Sequence, residues 1–231
     1  MKRPSDQNQR MRSLLILLIL RLLGAVALAE DDYFPLAIGE KWTMRVKTIG
    51  EGGGISGFFS SAIYGTTVRN GRTYFGTIEA YDWRWPARIL SLSSLPNKYE
   101  TYGRGIKFYR STNDAIFVSL KAPTGVFEYM EIPRPLRVGT VWRQNEGFEV
   151  TVSKVLSKES VRVNGHRFAN CYHLRKRASK YIAILHEQVN CYVRDTWLAP
   201  GVGEVKRIET QGDGRFALTE IRTLATVQRG K

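Results

Sequence analysis

The stretch PLAIGEKW, residues 35–42, recurs as PLRVGTVW, residues 135–142. In each, apolar side chains alternate like a short strand, a glycine (Gly39 or Gly139) permits a tight turn, and a tryptophan (Trp42 or Trp142) opens the next strand. Each phrase therefore reads as a corner followed by a core anchor; a pair of aromatic ligand platforms is the functional alternative. Three further features follow each phrase in the same order. An Asn-Gly turn precedes an aromatic strand in VRNGRTYF from Val68 and in VRVNGHRF from Val161. A Gly-x-Gly entry leads into a basic strand in GRGIKFYR from Gly103 and in GVGEVKRI from Gly201. Phe-xxx-Glu-Ile closes each series, at Phe127 to Ile132 and at Phe216 to Ile221. This order predicts one β domain, residues 30–231, made of two related halves, 30–132 and 133–231, that arose by tandem duplication. The last two features are short enough to recur by accident in a β-rich chain.

Past the first thirty residues, apolar side chains recur at spacing two and are broken by Gly, Pro or Asn, which predicts an all-β fold. Asn70-Gly71 and Asn164-Gly165 are hairpin turns, because both residues tolerate positive φ. Strands are predicted at KWTMRVKT from Lys41, GIKFYRS from Gly105, AIFVSLK from Ala115, RFANCYHLRK from Arg167 and GEVKRIET from Gly203, among others. FEVTVSKVL from Phe148 and SVRV from Ser160 read as two separate strands. With no Pro- or Ser-rich linker near residue 133, the expectation is one mostly antiparallel curved sheet, an open barrel or a sandwich. Two small tandem domains are the alternative.

The N-terminus reads as a secretory signal over residues 1–29. Lys2, Arg3, Arg10 and Arg12 precede the apolar run Leu14 to Leu20, and Ala27-Leu28-Ala29 offers small residues for cleavage before Glu30. Arg21 interrupts the apolar run, which falls short of the roughly 20 residues that an uncleaved membrane anchor needs. Removing residues 1–29 takes five of the 35 basic and one of the 21 acidic residues, leaving a net charge of +10. In a periplasmic or secreted protein, that charge favours an anionic envelope surface, lipid or glycan over nucleic acid. The densest basic run is HLRKRASK, residues 173–180, which reads as a solvated sheet face. Cys171 and Cys191 are the only cysteines. In an oxidising compartment they are expected to pair, since an antiparallel hairpin centred near Tyr181 would set them opposite each other, and the bridge would contribute about 3 kcal/mol. Two separate buried thiols are the other reading.

With YFPLAIGEKW from Tyr33 and TWLAPGVGEVKR from Thr196, the chain resembles an uncharacterised group of exported, β-rich bacterial envelope proteins that open on FPL-x-x-G-x-x-W and close on APGVG-x-V-K. The closing phrase, Ala199 to Gly203 with Val205 and Lys206, is the more specific. Members of the group often carry an N-terminal lipid anchor, and this sequence departs there, with no cysteine after the apolar run. The resemblance implies an envelope location and carries no catalytic residues.

No constellation in the sequence identifies a reaction, a metal or a cofactor. GGGISG, residues 52–57, misses the serine-hydrolase elbow because Phe58 stands where its last glycine belongs. His166, His173 and His186 match no compact zinc spacing. Asp82, Glu128 and Glu131 form a carboxylate set that any β protein of this size offers. The candidate ligand site is YDWRWP, residues 81–86: Tyr81, Trp83 and Trp85 share one strand face, and Arg84 lies on the other with Asp82. A core-facing strand is the competing reading. The expected function is non-enzymatic binding of a hydrophobic or amphipathic ligand, lipid or glycan, in a concave β face, with an apolar groove near Tyr81, Trp83 and Trp85 and a basic rim. A periplasmic scaffold binding another protein is the alternative, and a polysaccharide-acting hydrolase stands behind it.

Overall fold

The period-two pattern is realised as strands throughout. The computed structural model describes residues 32–50, 54–84, 105–121, 126–146, 149–182, 187–212 and 218–230, and none of the described residues is helical. Six strands, β1 (Lys41–Ile49), β2 (Ser56–Arg69), β3 (Arg72–Arg84), β4 (Gly105–Ser111), β5 (Ala115–Lys121) and β6 (Val126–Pro133), form one antiparallel meander. The remaining six, β7 (Val141–Glu146), β8 (Glu149–Val163), β9 (His166–Ile182), β10 (Glu187–Ala199), β11 (Gly203–Gln211) and β12 (Leu218–Gln228), form a second. β1 pairs with β12, so a single sheet of 12 strands runs from β6 to β1 and then from β12 to β7. The sheet curls into an open barrel. Its two ends approach one another without pairing, and Ile132 of β6 and Trp142 of β7 belong to one apolar cluster.

The two quoted phrases build the same turn. Gly39 and Gly139 hold φ of 86° and 90°, a region that side chains rarely enter. The Gly39 N–H donates to the Ile63 carbonyl and the Gly139 N–H to that of Val155, both at 2.9 Å. The Glu40 and Thr140 N–H groups donate back to Ala37 and Arg137 at 3.1 and 3.0 Å. The Asn-Gly turns correspond as well, joining β2 to β3 and β8 to β9 with positive φ at both residues. The Gly-x-Gly entries do not, because Gly105 opens β4 whereas Gly203 opens β11. Of the closing features, Phe127 to Ile132 lies in β6 and Leu218 to Ile221 in β12, while Phe216 is outside the described residues.

The opening and closing phrases meet in space. The Gly201 N–H donates to the Asp32 carbonyl at 2.7 Å, and Trp42 Nε1 donates to the Val202 carbonyl at 2.7 Å. Tyr33 and Leu36 then pack with Trp142, Tyr172 and Leu198 and close one end of the barrel. Register shifts bend both long hairpins. The β2–β3 tip reaches over β4 and β6, with Arg69 on the Phe108 ring and Arg72 bonded to Glu128 at 2.6 Å. The β8–β9 tip reaches β12, where Asn164 Nδ2 donates to the Leu224 carbonyl at 2.8 Å.

The expected Cys171–Cys191 disulfide is absent, and the register explains why. β9 runs on to Ile182, which pairs with Glu187 at the start of β10, so Tyr181 pairs with Gln188 instead of standing at the centre of the hairpin. Cys171 consequently lies across from Glu159 of β8, while Cys191 sits in the register shift beside Ser179 and Ala178. At about 3.3 Å per residue the two are on the order of 20 Å apart along the ladder, beyond the reach of a disulfide. Both are free thiols. Cys191 is half-buried, whereas Cys171 is buried, and that burial pushes its thiol above the ordinary range. Native protein should therefore take up one equivalent of an alkylating reagent at Cys191, with Cys171 reacting only after unfolding. An intact mass short of two hydrogens would contradict this register.

Candidate functional site

Side-chain alternation decides what faces the barrel interior. Thr77, Glu79 and Tyr81 of β3 face inward, and so do Lys107 and Tyr109 of β4; Arg207 and Arg222 face them from the second half. Together with Phe59, Trp142 and their neighbours they enclose a cavity of about 250 Å³. It is closed at one end by the apolar cluster around Tyr33 and Leu36.

The wall mixes apolar side chains, among them Leu36, Phe59, Ile132 and Leu198, with ion pairs in and directly behind it. Glu79 pairs with Lys107 at 3.0 Å, Glu131 with Lys176 at 3.9 Å, and Glu209 with Arg194 at 2.5 Å. Glu204 pairs with Arg207, and Glu220 with Arg222 at 2.5 Å. Two of these groups link the halves. Lys176 of β9 reaches Glu131 of β6, and Arg222 of β12 donates to Tyr81 Oη of β3 at 2.6 Å while lying over the Phe59 ring. Burial alone would raise the Glu131 and Glu209 carboxyls. The surrounding cations, Lys176 foremost for Glu131 and Arg194 foremost for Glu209, outweigh it and hold both below the ordinary carboxylate range. Burial raises the Tyr109 phenol, and Glu79 and Glu131 raise it further, so it stays protonated. Arg207 is held more firmly charged than usual, because Glu204 outweighs the burial that would lower it.

Three polar atoms on residues of the cavity wall remain without a hydrogen-bond partner among the described residues: Trp142 Nε1, Glu204 Oε1 and Arg207 Nε. Buried polar atoms are ordinarily satisfied, so these three stand out on residues that line the cavity. The contrast with Trp42 is direct. The two tryptophans follow equivalent turns, yet the Trp42 indole donates to Val202 and the Trp142 indole donates to nothing among the described residues.

Of the residues singled out in the sequence, Tyr81 lies on the cavity wall with its ring 4.9 Å from Phe59. Along the strand Trp83 pairs with Gly57 and Arg84 with Ser56; Trp85 lies outside the described residues. Beside Tyr81 the cavity combines apolar side chains with ion pairs, and the Trp83 side chain and Trp85, expected to extend an apolar groove there, lie outside what the structure describes. The three carboxylates are not brought together, since Asp82 is exposed, Glu128 is held by Arg72 and Arg110, and Glu131 faces the interior. His173 stacks on Trp197 and bonds Asp195 at 2.8 Å, and His186 lies outside the described residues. No group of three or more candidate metal ligands occurs among the described residues. The run at 173–180 is divided between faces, with Lys176 inside and Arg177 exposed, rather than being a wholly solvated face. Sequence reasoning missed Glu204 and Arg207, whose signal is GEVKRIET itself, a strand that carries its charges at inward positions.

No protein-family model matches the chain, and no curated protein does. Two solved structures resemble it. One, from Bacteroides fragilis, is described as an exported protein with a YmcC-like fold; it is 14% identical, with a TM-score of 0.48, covering 85% of this chain and 98% of that one. The other, from Parabacteroides distasonis, is described as a lipoprotein and is 13% identical, with a TM-score of 0.50 and the same coverages of 85% and 98%. At these identities the likeness concerns the fold alone.

Proposed function

We propose that this is an exported, non-enzymatic envelope protein that binds the hydroxylated part of an amphipathic ligand, a glycan or the sugar head of a glycolipid, inside the barrel. The observation that carries this reading is the set of three unpartnered polar atoms around one cavity. A hydroxyl group both accepts and donates, so once a small rotation of these buried side chains opens the three atoms to the cavity, a polyhydroxylated ligand can accept from Trp142 Nε1–H and Arg207 Nε–H and donate to Glu204 Oε1. Tyr81 and Tyr109 add ring surface beside it. An acyl chain fits poorly, because it would leave all three atoms unsatisfied. Each of the three carboxylates that line the cavity, Glu79, Glu131 and Glu204, is ion-paired, and Glu131 is shifted down, whereas a general acid for glycoside cleavage must be shifted up. Export is supported by the leader pattern and by the descriptions of the two similar structures.

Native mass spectrometry of protein purified gently from the envelope tests the proposal. The expected spectrum carries an adduct that dissociates on activation with the fragmentation of a sugar, and Trp142→Phe loses it. A bare mass that stays bare after challenge with an extract of envelope glycolipids would reject the reading and favour a scaffold role.

A further inference from the structure

We infer that the outer face of β7–β9 is a docking surface for an anionic phospholipid bilayer. Trp142, Ser153, Leu174 and Lys176 line the cavity, so the alternate positions of these strands face outward, Arg175 alone of them also touching the cavity lining. The register sets Arg143 beside Val152 and Val152 beside Arg177, and in the adjoining row it sets Val141 beside Lys154 and Lys154 beside Arg175. Arg143, Lys154 and Arg177 thus surround Val152. Strand spacing places these cations within roughly 10 Å of one another.

All three cations are exposed, and no described carboxylate bonds to any of them; their neighbour Arg175 differs, being held by Asp195 at 2.9 Å. Three unpaired like charges at this spacing repel each other, and an anionic partner relieves the repulsion. The apolar residues among them identify the partner. Val141, at the start of the edge strand β7, and Val152, inside β8, are 56% and 42% exposed. A strand face presenting cations around exposed valines matches the boundary between anionic headgroups and acyl chains, whereas a soluble polyanion would leave the valines in water. The surface lies on the opposite side of the strands from the cavity, and the inference does not rest on the ligand proposed there.

The test is co-sedimentation of residues 30–231, which contain every described strand, with vesicles of phosphatidylglycerol and phosphatidylcholine in equal parts, and with phosphatidylcholine alone. Binding is expected only to the anionic vesicles, weakening as salt is raised. At about fivefold per cation, the combined variant Arg143→Ser, Lys154→Ser, Arg177→Ser should bind on the order of a hundredfold more weakly. The comparison variant, Lys41→Ser, Arg45→Ser, Lys47→Ser, removes the same charge from exposed positions on β1 and should retain most of the binding. An equal loss in both variants would overturn the inference in favour of diffuse charge attraction. Binding to heparin without binding to anionic vesicles would overturn it in favour of an acidic glycan.

Discussion

Replacing Arg222 by methionine is expected to destabilise the protein by about 3–5 kcal/mol, the cost of leaving a buried ion pair with one member. Arg222 is 6% exposed; it bonds Glu220 at 2.5 Å and Tyr81 Oη at 2.6 Å, and lies over the Phe59 and Tyr81 rings. Methionine fills much of the space but satisfies neither oxygen, so the Glu220 carboxylate is left without its cation. In a chain of this size the loss corresponds to a fall in Tm of roughly 6–20 °C. Pairing the change with Glu220→Gln should recover much of it, because the burden is the unpaired charge rather than the lost attraction. Urea unfolding of the four proteins checks this: the single variant should shift the midpoint with an unchanged slope, and the double variant should return most of the way. Equal losses in the single and double variants would show that packing of Arg222 on Phe59 and Tyr81, not charge, holds the halves together.

The two tryptophans provide the second large effect. Trp142 is 7% exposed among Tyr33, Leu136 and Tyr172, so Trp142→Ala should cost about 3–5 kcal/mol as a cavity opens in the cluster. Phenylalanine separates packing from hydrogen bonding. Trp42→Phe removes the donor to the Val202 carbonyl and should cost about 1–2 kcal/mol beyond its change in volume. Trp142→Phe removes a donor that has no partner among the described residues, and in ligand-free protein it should show no such increment. Denaturant unfolding of ligand-free protein tests both variants. If Trp142→Phe showed the larger loss, its indole N–H would have a protein partner and would not be available to a ligand.

Much of the fold was legible because alternation and turn chemistry agree. β4 and β5 begin and end where the pattern places them, and both Asn-Gly turns are hairpins. The errors fall where the register shifts. Residues Glu149 to Leu156 of FEVTVSKVL and the segment SVRV are parts of one strand, β8, since the shifts between Val155 and Ser157 and between Glu159 and Val161 break the alternation without ending the strand. The disulfide failed for a related reason: no Gly or Pro stands between Ile182 and Glu187 to locate the centre of the hairpin in the sequence, so a displacement of a few residues in the assumed centre carried Cys191 past Cys171. The site was harder to read. In GEVKRIET the inward residues are the charged ones, an arrangement that looks like an exposed face until the opposite half supplies partners. The outward side is itself covered in places, with Phe108 and Ser119 buried beyond the β2–β3 tip, so polarity along a strand does not identify its dry face. Trp142 was legible as a core anchor and belongs to the core; that its indole nitrogen also lacks a partner depends on the three-dimensional packing.

The most direct test of the account is a high-resolution crystal structure of protein purified from its own envelope without refolding. The account predicts continuous density for a ligand in the cavity, with hydroxyl oxygens within hydrogen-bonding distance of Trp142 Nε1, Arg207 Nε and Glu204 Oε1. A cavity containing only separate ordered waters bridging those three atoms, in protein that also binds nothing when supplied with envelope glycolipids, would contradict it.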